Sequence, residues 1–377
     1  MRIAIDASPA AKKPRTGTEF YTLHLILALA DLDTRNEYTI FLNDEVPEEF
    51  VGLPASFRRQ LIPRRWLWAQ TRLARELRRH RPDVFFAPAN VIPFLHPPRC
   101  VITIHDVAFH HFPECYSPFV RWYLEVTTRF ALREALKVIA VSRATKEDLV
   151  QIYQADPFCI EVIHPGAPLS RERAPSADEI ASTLRRYGIV SPYLLFLGRL
   201  EEKKNVARIV KAFLKLKERG IPHCLVLGGN PGVGFAEIKQ LIESSRFTQD
   251  IILVGYVGEE KEQLYAGADV FVFPSLYEGF GFPILEAARH GTPVITSRSS
   301  SLPEVAGKAA LLVDPFAVGE IAEAIFKLIH DRGLRTELVR RGHERLSEFD
   351  WGNTAARVLG VLEDVGRDGP RRRRNFT

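Results

Sequence analysis

Cysteine is scarce in this chain. There are four in 377 residues, Cys100, Cys115, Cys159 and Cys224. None forms a C-x-x-C pair and their spacing fits no zinc framework. So few thiols in so long a chain argue against a disulfide scaffold and for a reducing cytoplasm. Long apolar runs are also missing. The stretch 21–30 contains His24, and no run reaches the length of about 18 residues that spans a bilayer. The opening MRIAID reads as a strand rather than a secretory signal. A strong charge of one sign is absent too. Lys plus Arg number 51 and Asp plus Glu 46, a net charge of +5. Such a mild excess permits an anionic ligand or a lipid surface but does not call for nucleic acid.

What is present is ordinary globular composition, 46% hydrophobic and 26% charged, which excludes a fibrous or largely disordered chain. At roughly 100–200 residues per domain, the length predicts two domains. Strand-like runs at 2–6, 38–42, 84–87, 101–104 and 138–141 alternate with helical stretches. The segment 164–177 (HPGAPLSRERAPSA) is rich in Pro, Ser and charge and reads as a linker. After it the alternation restarts. Strands are expected at 193–198, 223–228, 251–254, 270–273, 293–296 and 310–313. Helices are expected at 206–217, 235–244, 260–266, 283–289 and 318–330, with a last one from about 353 to 365. This pattern is that of two α/β units with parallel sheets wrapped by helices. The tail GRDGPRRRRNFT, basic and broken by Gly and Pro, reads as disordered.

In open parallel sheets ligands bind beyond the carboxyl ends of the strands. In the second half those ends carry Arg199 with Lys203 and Lys204, then Gly228 and Gly229, then the string from Glu278 through Gly279, Phe280, Gly281 and Phe282 to Pro283 and Glu286. Pro283 suits a first helical position because it has no N–H to satisfy, which puts Glu286 in the first turn. Free amides at that helix start favour an anion such as a diphosphate. Two carboxylates beside it suit hydroxyl-rich groups, a sugar and a ribose. Glu286 as a mere complement to the helix dipole is the plain alternative. Arg199 and Lys204 could grip a diphosphate, the one as a fork and the other as a point charge; a solvated charge run is the alternative. In the first half, Thr16 and Gly17 precede a helix and offer a second anion site or a simple capped turn. His105, at a strand end before Asp106, could transfer a proton or donate to a substrate oxygen. No spacing of His, Cys and carboxylates suggests a metal. The stretch from Arg58 to Arg81 holds nine arginines with Trp66 and Trp68. It fits an anionic membrane surface, and it equally fits a basic amphipathic helix.

The loop YEGFGFPILEAARHGTPVITS, with its E-x(7)-E pair, resembles retaining glycosyltransferases of family four. GRLEEKKN, VFVFPSLYEGFG, SLPEVAGKAALLVDP, RIAIDASP with TGTEFYT, VITIHDVAFHHFPE and VIAVSRATKEDL are similar to the same family, so the resemblance covers nearly the whole chain. It implies a GT-B architecture, two Rossmann-like domains facing across a cleft. Residues 1–170 would form the acceptor-side domain and 171–350 the nucleotide-sugar domain. A helix at about 351–366 would pack back on the first, and 367–377 would be a disordered tail. Carried over by motif, Glu278 would touch sugar hydroxyls near the reacting carbon and Glu286 would hold the ribose. Gly279, Phe280 and Gly281, with Phe282 and Gly229, would line the donor. Arg199 and Lys204 would neutralise the diphosphate in place of a metal ion. Thr16 and Gly17 would lie against the donor phosphates and His105 would approach the sugar. The doubled lysine leaves open which one makes the contact, and Lys204 is the choice.

The expected reaction is transfer of a hexose, mannose ahead of glucose, from a donor such as GDP-mannose or UDP-glucose to a saccharide or lipid-linked saccharide, with retention and without a cofactor or metal. The expected place is the cytoplasm or the inner face of a membrane, with the 58–81 stretch as the membrane contact and no nucleic-acid partner. The rivals are a sugar-nucleotide epimerase of the same architecture and a non-catalytic anion- or membrane-binding protein. A nicotinamide enzyme would need G-x-G-x-x-G. The nearest string, Gly228-Gly229-Asn230-Pro231-Gly232-Val233-Gly234, has the wrong spacing and a proline in the turn.

Overall fold

The computed structural model describes residues 1–63, 67–89, 91–168 and 173–367. It contains two parallel α/β sheets in two compact units, one formed by Met1–Gly166 with the chain from Phe349 on, the other by Ala167–Glu348. The strands of the first are β1 (Arg2–Asp6), β2 (Glu37–Leu42), β3 (Phe57–Leu61), β4 (Val84–Ala87), β5 (Cys100–Ile104), β6 (Lys137–Ala140) and β7 (Ile160–Val162), in the order β3-β2-β1-β4-β5-β6-β7. Its helices are α1 (Gly17–Leu32), α2 (Ala74–His80), α3 (Ala108–His111), α4 (Pro118–Glu134) and α5 (Arg143–Tyr153). The second unit has β8 (Tyr193–Leu197), β9 (Cys224–Gly228), β10 (Ile251–Gly255), β11 (Val270–Phe273), β12 (Val294–Ser297) and β13 (Ala310–Val313), in the order β10-β9-β8-β11-β12-β13. Around them lie α6 (Ala177–Tyr187), α7 (Val206–Glu218), α8 (Phe235–Glu243), α9 (Lys261–Gly267), α10 (Phe282–Arg289), α11 (Leu302–Ala306), α12 (Val318–His330) and α13 (Arg332–Leu346). The last helix, α14 (Trp351–Arg367), belongs to the first unit.

The central strands read as unbroken apolar runs because helices cover both faces. All five residues of β8 are buried, and so are all four of β11. On one face of the first sheet, Phe85, Ile102 and Ala140 pack with Leu73 and Leu77 from the α2 segment, Ala131 of α4 and Leu149 of α5. On α1, β4 and β5 lies α14. Its Trp351 ring packs against Tyr21 and His24, and a Cβ on Gly166 would sit 2.4 Å from that indole. The strand order reverses at β1/β4 in the first sheet and at β8/β11 in the second, which places the natural ligand crevice of each at those strands' carboxyl ends.

Several expectations need correction. The 58–81 stretch is not one basic helix. Its first part is the edge strand β3, whose Arg59 guanidinium donates to the Phe50 and Val51 carbonyls, a charged edge of the kind that discourages further pairing. Trp68 is core, 7% exposed, with its indole N–H on the Ile62 carbonyl at 3.0 Å. Arg64, Arg65 and Trp66 lie outside the described residues, as do 169–172 of the linker and 368–377 of the tail. The linker reading also hid the start of α6: Ser176 accepts from the Glu179 amide, and Glu179 returns a bond to Ser176 N–H. That is a capping box, legible as S-x-x-E. The helices α6, α11 and α13 and the strands β3 and β7 escaped the periodicity reading. Strand β3 is polar because it is an edge, and β7 has three residues.

Candidate functional site

The loops at the carboxyl ends of β8, β11 and β13 are tied together by one buried residue. Asn205 sits in the left-handed region (φ 64°) before α7, 2% exposed. Its amide donates to the carbonyls of Pro274 at 3.0 Å and Pro315 at 2.6 Å, and its oxygen accepts from Arg208. Asn tolerates this backbone better than most residues because its short polar side chain bonds locally. The Leu276 N–H donates to the Lys203 carbonyl at 2.9 Å, drawing the β11 loop onto the β8 loop.

These ties bring the Lys204 ammonium to Glu278, Nζ to Oε1 2.5 Å, with 17% and 12% of the two side chains exposed. Lys204 also stands 5.6 Å from the Phe273 ring centre. It is thus Lys204, of the two lysines, that meets the glutamate. The loop carrying Glu278 is held from below by serines the sequence reading did not single out. Glu278 N–H donates to Ser300 Oγ at 2.9 Å, and the Ser301 hydroxyl bonds the carbonyls of Glu278 and Phe280. Gly281 takes φ 119° as the cap of α10; a Cβ there would lie 2.9 Å from Leu302. No side chain caps α10, so its dipole is presented toward the loop. Phe280 is buried, its ring edge-on to Phe282 at 5.1 Å.

The helix starts at Phe282, one residue earlier than expected, which puts Pro283 second. Glu286 is consequently the fifth helical residue and lies beyond the first turn. Its carboxylate is held by two groups on α9 that the sequence reading missed. Lys261 Nζ bonds Oε1 at 2.7 Å and Tyr265 O–H donates to Oε2 at 3.0 Å. Tyr265 is fully buried, stacked on His290. Burial, and then the Glu286 charge, push its phenol far above the ordinary range, so it remains a donor. The signal was available: Lys261 and Tyr265 are i and i+4 on the helix that follows β10.

Other candidates stand apart. Arg199 is exposed, its stem beside Gly232, with no ion pair among the described residues. Gly229 is accounted for by backbone packing. Its N–H donates to the Gly255 carbonyl at 2.6 Å, and a Cβ would fall 1.8 Å from the Gly198 oxygen.

In the first unit, Thr16 caps α1, its N–H donating to Glu19 at 3.0 Å. Burial works to raise the Glu19 pKa, but bonds from Thr16 and Lys12 outweigh it and hold the carboxylate below its usual range. Gly17 is the first residue of this helix. His105 is buried edge-on to Tyr21, and its Nε2–H donates to the Pro88 carbonyl at 2.8 Å. Burial lowers its pKa, so the ring is neutral with that N–H engaged by the backbone rather than offered to a ligand.

The second unit's cluster therefore combines two carboxylates, each already oriented by a cation, with an uncapped helix start and a lysine. The carboxylates can accept sugar or ribose hydroxyls, while the lysine and the amides can meet phosphate oxygens. Among the described residues no group of three or more His, Cys, Asp or Glu is placed to hold a metal ion, and no helix is long and apolar enough to cross a membrane.

Two family profiles match the chain: Glycosyltransferase Family 4 over residues 15–171 and Glycosyl transferases group 1 over 189–345. An O-antigen chain mannosyltransferase B from Escherichia coli is 30% identical over 95% of this chain and 99% of its own length. A D-inositol 3-phosphate glycosyltransferase of Salinispora arenicola is 30% identical over 63% of this chain and 57% of that protein. Among solved structures, Anabaena HepE in complex with UDP-glucose superposes with a TM-score of 0.75 at 19% identity, covering 96% of this chain and 99% of that one. WaaG, a glycosyltransferase involved in lipopolysaccharide biosynthesis, gives 0.72 at 16% identity over 96% and 99%. Neither the epimerase nor the non-catalytic reading finds support among these relatives. The sheets, the E-x(7)-E loop and the relatives agree: this chain belongs to the family four, group 1 glycosyltransferases, and is a sugar-transferring enzyme of GT-B architecture.

Proposed function

We propose that the enzyme transfers a hexose, mannose ahead of glucose, from a nucleoside diphosphate to a saccharide or lipid-linked saccharide, with retention at the anomeric carbon and without a metal ion. The observation that carries this reading is the Lys204–Glu278 pair beside the uncapped start of α10. The mannose preference draws on the mannosyltransferase relative that spans nearly the whole chain, and a nucleotide-sugar donor on the HepE complex with UDP-glucose.

In this reading the second unit holds the donor and the first receives the acceptor. Glu286, oriented by Lys261 and Tyr265, accepts the ribose hydroxyls. Glu278 accepts hydroxyls of the sugar. Lys204 exchanges part of its contact with Glu278 for a diphosphate oxygen, and Arg199 turns in from solvent to the same group. The bond from the sugar's C1 to the diphosphate oxygen breaks as the acceptor oxygen bonds C1 on the same face. The acceptor's proton passes to the departing phosphate. The charge growing on the leaving group meets fixed cations and amides, each worth about 2.7–4 kcal/mol where a positioned donor stabilises a developing oxyanion.

A panel of nucleotide sugars, screened by thermal shift and then by nucleoside diphosphate release with and without acceptor, tests the donor. NMR of the product reads the anomeric configuration. Inversion, or undiminished activity on GDP-mannose and UDP-glucose in Glu278→Gln, would sink the proposal.

A further inference from the structure

The last residue of β1 is a carboxyl in apolar company. Asp6 is 7% exposed. It lies opposite Phe41 of β2, and on its other side Ala87 follows Phe86, the β4 partner of Ile5. Phe41 and Ala87 belong to the apolar face that also carries Ala4, Ile62, Trp68 and Ile92. Side chains two apart on a strand share a face, so Asp6 continues the line of Ala4. Its polar support comes from Ser8. The Ser8 N–H donates to Oδ1 at 3.0 Å, and the Ser8 hydroxyl favours the charged form as well. No cation among the described residues pairs with it, although the loop that follows carries Lys12, Lys13 and Arg15. Lys12 meets Glu19 instead, Arg15 meets Glu49 and the Ala10 carbonyl, and Lys13 is exposed.

A carboxylate in this place costs stability. Burial, opposed in part by Ser8, raises its pKa to about 6, so at neutral pH the group is ionised where its surroundings resist ionisation. The turn at Ser8 does not require the charge, because an asparagine side chain makes the same bond to the amide two residues on. A costly residue whose structural task a neutral one could perform belongs to a functional site. Its position agrees. The order of the first sheet reverses between β1 and β4, and Asp6 closes β1 at that reversal, where α/β sheets take their ligands.

We propose that the Asp6 carboxylate binds the acceptor, accepting a hydrogen bond from one of its hydroxyl groups and so orienting the saccharide in the first unit. This deepens the function proposed above and rests on its reading that the first unit receives the acceptor. By contrast, the His105 Nε2–H and the Thr16 N–H are already engaged within the protein.

Asp6→Asn keeps an acceptor for the Ser8 amide and removes the charge. Nucleoside diphosphate release from GDP-mannose and UDP-glucose is followed in wild type and variant, first without acceptor and then with methyl α-mannoside or methyl β-glucoside varied. Release without acceptor is hydrolysis of the donor and reports the second unit. With acceptor, Asp6→Asn should raise the acceptor KM by roughly tenfold at unchanged donor KM and unchanged hydrolysis, and it should unfold at higher denaturant than wild type. Saturation-transfer NMR of the same two saccharides with the full-length protein, without donor, reads the contact as binding, and the wild-type signal should be lost in the variant. The proposal is overturned if wild type binds neither saccharide, or if the acceptor KM and the NMR signal of Asp6→Asn match those of wild type. It is also overturned if donor hydrolysis falls in step with transfer, or if the variant is the less stable protein at neutral pH, since the carboxylate would then be a structural anchor. A wild type that hydrolyses neither donor, yet gives a saccharide signal that Asp6→Asn abolishes, contradicts the proposed donor and supports the role of Asp6.

Discussion

Replacing Lys204 by Met separates two roles that the 2.5 Å pair with Glu278 combines. The first is structural. With the lysine gone, a carboxylate that is only 12% exposed loses its counter-ion. Breaking a fully buried pair costs about 3–5 kcal/mol. The lysine side chain is 17% exposed, so water screens part of this and the expected loss is about 3 kcal/mol or somewhat less. The second is the proposed catalytic role. A cation that stabilises the departing diphosphate should be worth roughly 10²–10³ in kcat, with a smaller change in KM because the charge grows mainly in the transition state. Adding Glu278→Gln to Lys204→Met removes the orphaned charge, and thermal stability should return to within about 1 kcal/mol of wild type. Activity should not return. Steady-state release of nucleoside diphosphate, with denaturant unfolding of all four proteins of the cycle, measures both. If Lys204→Met lowers kcat by less than about tenfold, or if the double variant regains activity along with stability, the lysine serves only to hold Glu278 and the catalytic assignment fails.

Further outcomes follow from the same geometry. Tyr265→Phe removes a donor to the Glu286 carboxylate, a bond to a charged group worth about 1.5–3 kcal/mol. Donor KM should rise by roughly tenfold with kcat less affected, and an unchanged KM would dissociate Glu286 from donor binding. Asn205→Ala leaves two buried carbonyls without donors and puts a Cβ without a compensating amide at φ 64°, so about 2–4 kcal/mol should be lost; Asn205→Gly, free of the strain, should recover only part of it in melting experiments. Asp6 is buried at the end of β1, and desolvation, opposed in part by Ser8, raises its pKa from 3.8 to about 6. The folded state therefore holds that proton more tightly than the unfolded chain does, and stability at this site falls as pH rises from about 4 through about 6. Asp6→Asn should stabilise the protein by up to about 3 kcal/mol at neutral pH, and the gain should vanish below pH about 4. A constant gap across this range in denaturant titrations would contradict the assignment to Asp6.

Much of this protein was legible in one dimension. Strands β4, β11 and β13 and helix α12 are apolar runs or clean periodicities whose identity does not depend on distant partners. The E-x(7)-E loop carries its glycines and acids within nine consecutive residues, because the helix start, the tight turn and the two acceptors are all local features. Elements at the margins were harder. The edge strand β3 hides in an arginine-rich segment since one side of it meets water, and α6 hides in a Pro- and Ser-rich segment despite its capping box.

Residue types and their spacing thus sufficed for the class of fold and the family, and they single out the loop proposed here to carry the chemistry. Which lysine faces Glu278 is decided only when Asn205 clasps Pro274 and Pro315, more than sixty residues away. Only the fold decides that Lys261 and Tyr265 aim Glu286, that serines 300 and 301 support the loop, and that Trp68 turns inward while Trp122 faces out. These are pairings between strand ends and helices far apart in sequence, and periodicity records which face of an element is apolar, not what that face meets.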